Sequence, residues 1–92
     1  MALLDEVKKA LRLKNDIFND EIESLIAEAK KDMQNSGIIN IDEKDSAVRS
    51  CIKTYCKANF GLDNKDSEKY AASYRMQVDK LSLCGEYNVK LV

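Results

Sequence analysis

Three glycines divide this chain, and each falls where an apolar pattern stops. Gly37 follows "IESLIAEAKKDMQNS", Gly61 follows "AVRSCIKTYCKANF" and Gly85 follows "KYAASYRMQVDKLSLC". Within each run the apolar residues recur at steps of three and four, the signature of a helix with one buried face. A glycine just beyond such a run supplies the left-handed residue that closes a helix C-terminus. Ile38 and Leu62 come next after Gly37 and Gly61, as the apolar contact of a Schellman cap requires. The chain contains no proline. The expected fold is therefore all-α: a single domain, residues 1–92, built as a small four-helix bundle with short loops and a short extended C-terminal tail.

The first helix is expected from Ala2 to Leu13, with Leu4, Val7 and Leu11 on one face and Asp5–Lys9 as an i,i+4 pair. The second runs from near Ile17 or Asp20 to Asn35 and turns Ile22, Leu25, Ile26, Ala29 and Met33 inward. Asp20 with Glu23 three residues later reads as a capping box. The third runs from Glu43 to Phe60 after a cap at Asp42, with Val48, Cys51, Ile52, Tyr55 and Ala58 inward. The fourth runs from Ser67 to Leu83, with Tyr70, Ala71, Tyr74, Val78 and Leu81 inward.

Two segments fit this scheme less well. "IINID" between the second and third helices alternates apolar residues and reads as one short strand or as a loop plugging the core. "EYNVKLV" after Gly85 is apolar and β-prone, with little in the same chain to bury it. Such a tail either frays or adds to a partner's surface.

Charge narrows the function classes. Lys and Arg number 15 against 16 Asp and Glu, a net charge of −1. A free-standing nucleic-acid binder carries a basic excess, because phosphate neutralisation supplies most of its affinity. That excess is absent. No run of about 18 apolar residues exists, so no membrane span is expected. "MALLDEVKKALRL" has acids and lysines among its apolar positions and reads as a cytoplasmic start rather than a signal peptide. With 92 residues the core is small, and association with other chains would add stability.

Candidate chemistry is sparse. Histidine is missing, which removes the commonest general base near neutral pH and the commonest zinc ligand. Cys51 and Cys56 point about 140° apart on a helix. With Cys84 as the only other thiol they make neither a zinc set nor an expected disulfide. The expectation is three free thiols: Cys51 inside, Cys56 at the flank of its helix, Cys84 the most exposed. The acid clusters at Asp5–Glu6, Asp20–Glu23 and Asp42–Asp45 stand at helix starts, where capping and the helix dipole account for them. Tyr70 and Tyr74, one turn apart beside Arg75, suit a core edge or an interface. The connections are longer than a helix-turn-helix allows, and no helix carries a row of arginines and amides for a major groove. No catalytic residue, cofactor or metal is expected.

Longer strings carry a family resemblance. "LLDEVKKALRLKND" with "EIESLIAEAKKDM" resembles the opening of small head–tail connector proteins of tailed bacteriophages and prophages, often labelled DNA packaging or head-completion adaptor proteins. "KANFGLDN", Lys57 to Asn64, and "LSLCGEY", Leu81 to Tyr87, are the most specific parts of the likeness. It covers nearly the whole chain, and the cysteines do not belong to its pattern.

The resemblance implies a helical subunit, monomeric or loosely associated alone, that forms a homo-oligomeric ring on the portal protein. Such a ring extends the DNA channel to a downstream stopper or tail-completion protein. Genomic DNA passes through it without specific binding. It implies a place at the head–tail junction of the virion, after assembly in the bacterial host cytoplasm, and no reaction or membrane. The residues expected at protein interfaces are Ile38, Ile39 and Ile41 in the loop, Arg75 on the fourth helix, and Tyr87, Val89 and Leu91 in the tail. Removing the chain after Gly85 is expected to spare helicity and weaken assembly. A small helical DNA- or protein-binding regulator stays open as a second reading.

Overall fold

The computed structural model describes residues 2–61 and 65–84. Four helices lie among them: α1 (Leu3–Ala10), α2 (Asn19–Asn35), α3 (Ser46–Asn59) and α4 (Ser67–Ser82), with no strand. The chain is thus the all-α four-helix bundle that its periodicity predicts. The "IINID" segment is a loop. The tail, including Tyr87, Val89 and Leu91, and the cap partner Leu62 lie outside the described residues.

α3 is the central element, with α1, α2 and α4 all packed on it. The core joins Leu3 and Val7 of α1, Ile22, Leu25, Ile26, Ala29 and Met33 of α2, Val48, Cys51, Ile52 and Cys56 of α3, and Tyr74 and Val78 of α4. This central position corrects one expectation. Cys56 does not lie at a flank; it is as fully buried as Cys51. Two positions about 140° apart on a helix are both covered when neighbours pack on both sides. α4 packs by a narrower stripe than expected: Ala71 is exposed, and Tyr70 is half-buried. On α1 the core face is rotated slightly, with Leu3 inside and Leu4 and Leu11 partly covered.

The helix ends show where local chemistry acts. α2 closes on a Schellman motif: the Ile38 N–H donates to the Met33 carbonyl at 3.0 Å and the Gly37 N–H to that of Gln34 at 3.1 Å. Gly37 takes φ +100°, open to glycine without strain, and Ile38 drops wholly into the core. α1 stops three residues sooner than its apolar pattern. The Leu13 N–H donates to the Lys8 carbonyl at 2.9 Å and the Arg12 N–H to that of Lys9 at 3.0 Å. This is the same motif with Arg12, φ 60°, in the position usually held by glycine. α3 ends differently from the expected Schellman cap: Phe60 is already extended, and Gly61 turns the chain one residue later.

The helix starts also depart from the expected caps. α3 begins at Ser46 under Asp45, whose Oδ1 accepts from the Ala47 and Val48 N–H groups at 2.8 and 3.2 Å. Asp42 instead closes the preceding turn, accepting from the Lys44 N–H at 2.9 Å. α2 begins at Asn19 after Phe18, with no side-chain cap. Asp20 is therefore already helical, and the Asp20–Glu23 box does not form.

Candidate functional site

Polar side chains tie the helices to one another. Glu6 of α1 meets Arg49 of α3 at 2.7 Å and Lys53 at 3.8 Å. The Arg49 Nε also donates to the Glu43 carbonyl, and Lys30 of α2 meets the Glu43 carboxylate at 2.6 Å. Together these hold the 42–45 turn against α1 and α2. A shallow groove beneath, floored by Leu3, Leu4 and Ile26, is rimmed by Lys30 and Glu43, which already neutralise each other.

On the opposite side, α4 is clamped to α2. The Tyr74 hydroxyl donates to Asp32 Oδ2 at 2.6 Å. Arg75 reaches the same oxygen at 3.3 Å and the Ser36 hydroxyl at 3.2 Å. Its guanidinium lies 5.6 Å from the centre of the Tyr74 ring. Tyr74 also meets Tyr55 edge to face at 5.1 Å, and the Tyr55 hydroxyl reaches Glu28 at 3.5 Å. Burial and the hydrogen bond to Asp32 push the Tyr74 phenol far above its ordinary range. Burial, then the Glu28 charge, raises that of Tyr55.

The expected contact residues therefore separate. Ile38 is fully buried in its own subunit, because the Schellman turn of α2 points it inward. Ile41 packs partly on the core. Ile39 alone of the three isoleucines is open, at 47% exposure. Arg75 is half-exposed but engaged by Asp32 and Ser36. Tyr87, Val89 and Leu91 lie outside the described residues.

Other exposed apolar groups were not singled out by sequence. Ile17 and Phe18 stand at the corner between α1 and α2, where Phe18 packs edge to face on Phe60 at 5.4 Å. Beside them Asp16 accepts a hydrogen bond from Lys8, which holds its carboxyl below the usual range. Met76 and Leu83 lie on α4 and at its end, 62% and 87% exposed. Their signal was available: they are seven residues apart and off the Tyr74–Val78 stripe.

The thiols do no visible chemistry. Burial pushes Cys51 up to about 11 and Cys56 up to about 12, so both stay protonated near neutral pH. Cys84 is half-buried and is the most open of the three. Among the described residues no group of three or more Cys, Asp or Glu is placed to hold a metal. No helix described is long and apolar enough to cross a membrane.

What the geometry offers is a packed helical bundle with apolar groups left on its outside, which suits docking to other proteins. No curated protein and no solved structure is significantly similar to the chain. The sequence model of one family, described as phage connector protein, matches residues 3–88, from the first residue of α1 through all four helices and past the last described residue. The chain belongs to the phage connector protein family, whose role in the phage particle is structural.

Proposed function

We propose that the protein is a subunit of a ring that assembles on the portal, extends the DNA channel and receives a stopper or tail-completion protein. The family match across the whole bundle carries this reading. Two properties support it. A net charge of −1 leaves little general attraction for phosphate, which suits a conduit through which DNA must slide. Apolar groups in the connecting segments, Ile17, Phe18 and Ile39, remain open for contact with neighbours. The subunit works without catalysis or cofactor, at the head–tail junction, after assembly in the host cytoplasm. Ile39 and the 85–92 segment with Tyr87, Val89 and Leu91 are the proposed contacts to portal or stopper.

The test is reconstitution with the cognate portal, followed by electron microscopy and sedimentation. A ring stacked on the portal is expected, weakened by truncation after Gly85 while helicity is retained. Failure to bind the portal, with salt-sensitive binding of duplex DNA instead, would point to the DNA-binding regulator.

A further inference from the structure

α3 and α4 leave a groove between them near the start of α3. Ala47, Ser50 and Cys51 of α3 line one side, and Gln77, Lys80 and Leu81 of α4 line the other, around a volume of about 190 Å³. Cys51 belongs to the core and Leu81 packs partly on it, so the groove has an apolar floor. Its volume is below the roughly 300–1,000 Å³ of small-molecule sites and suits a single large side chain.

One polar group in the wall is unfinished. The Gln77 amide donates to the Ser50 hydroxyl at 3.0 Å. Its Oε1 is buried and accepts no hydrogen bond among the described residues. A buried carbonyl oxygen left without a donor is costly, and such groups are nearly always paired. An occupant of this groove should therefore bring a donor as well as apolar surface.

The chain carries such a group close by. The Cys84 N–H donates to the Leu81 carbonyl at 3.0 Å, so the last described residue stands one turn from the groove. The sequence continues as "GEYNVKLV", residues 85–92, outside the described residues. Tyr87 comes three residues after Cys84, a reach of at most about 10 Å. Gly85 stands between them, and glycine adopts the conformations that reverse a chain. Tyrosine joins an apolar ring to a hydroxyl donor, and that hydroxyl ordinarily finds a partner when buried. A segment from another copy would have to compete with one tethered at the groove's edge, whose effective concentration is on the order of millimolar.

We propose that in the free subunit Tyr87 docks in this groove of its own chain, its ring against Ala47 and Leu81 and its hydroxyl donating to Gln77 Oε1. The segment offered to portal or stopper is thereby covered until a partner draws it out. That last consequence rests on the ring reading; the docking does not.

The test compares ¹H–¹⁵N spectra of the full chain with those of Tyr87→Ser. Docking predicts shifted signals for the backbone amides of Ala47 and Ser50 and for the Gln77 side-chain amide. Changes confined to residues beyond Leu81 overturn it. Tyr87→Trp gives the chain its only tryptophan, which keeps an N–H donor for Gln77. Its emission is expected to be blue-shifted from that of the urea-unfolded chain. It should also be unchanged by about hundredfold dilution, because docking within one chain does not depend on concentration. Emission like that of the unfolded chain overturns the proposal. A blue shift lost on dilution also overturns it, in favour of a tail borrowed from another copy. Neither measurement involves the portal, so the ring reading stands or falls by its own test.

Discussion

The Tyr74 hydroxyl donates to Asp32 at 2.6 Å, joining α4 to α2 across residues 42 positions apart. Arg75 shares the same carboxylate, so one acid holds two neighbouring residues of α4. α4 otherwise rests mainly on α3, and this acid ties it to α2 as well. Tyr74→Phe keeps the ring contact with Tyr55 and removes a hydrogen bond to a charged acceptor. The expected loss is about 1–2 kcal/mol in urea unfolding. A Tyr74→Phe variant as stable as the wild type would show that Arg75 alone suffices.

Arg12 holds a left-handed conformation that glycine adopts without strain. Its carbonyl neighbourhood is satisfied by the α1 Schellman bonds, which do not depend on its side chain. Arg12→Gly is expected to stabilise the protein by up to about 1 kcal/mol, and Arg12→Val to destabilise it by more than that. Thermal unfolding distinguishes the signs.

Asp45, not Asp42, caps α3. Asp45→Ala is expected to cost about 1 kcal/mol, and Asp42→Ala clearly less, since Asp42 closes only an exposed turn. Equal costs in chemical denaturation would contradict this assignment.

The buried thiols predict an alkaline limit. In the unfolded chain they ionise near 9; folded, Cys51 is pushed up to about 11 and Cys56 up to about 12. Above pH 9 the unfolded state therefore loses protons that the folded state keeps. The stability they contribute is complete below pH 9 and is lost as pH rises toward 11 and 12. Melting temperature should fall steadily over that window. At pH 8 a thiol reagent should modify Cys84 first and reach Cys51 and Cys56 only as the protein opens.

Adjacent residues Ile38 and Ile39 should behave oppositely. Ile38→Ala removes a fully buried side chain and is expected to cost about 2–4 kcal/mol. Ile39→Asp changes an exposed side chain, should alter stability by less than about 0.5 kcal/mol, and is expected to weaken assembly on the portal. The pair separates a folding role from a docking role in unfolding and co-sedimentation measurements.

The apolar stripes alone were enough to read the helix count, the core of α2 and the glycine-closed turn at Gly37, because these depend on residues within a few positions of each other. Arg12 shows where that reading fails. Its pattern continues to Leu13, and no residue type marks the stop, yet the backbone turns there so that Leu13 can pack on the core. Cys56 fails for a related reason: a position off the main stripe is buried only because α3 has neighbours on several sides. Among the proposed contacts, Ile38 looked like a spare apolar group in a loop until its turn carried it inside.

Short-range chemistry, spacing and charge balance thus settle the all-α class, the near-neutral surface and the family, since each is carried by the order of residues along the chain. Which face of α3 counts as interior and which of three isoleucines stays open follow from how the helices stack. Burial belongs to an arrangement of several helices at once, and no local pattern contains it.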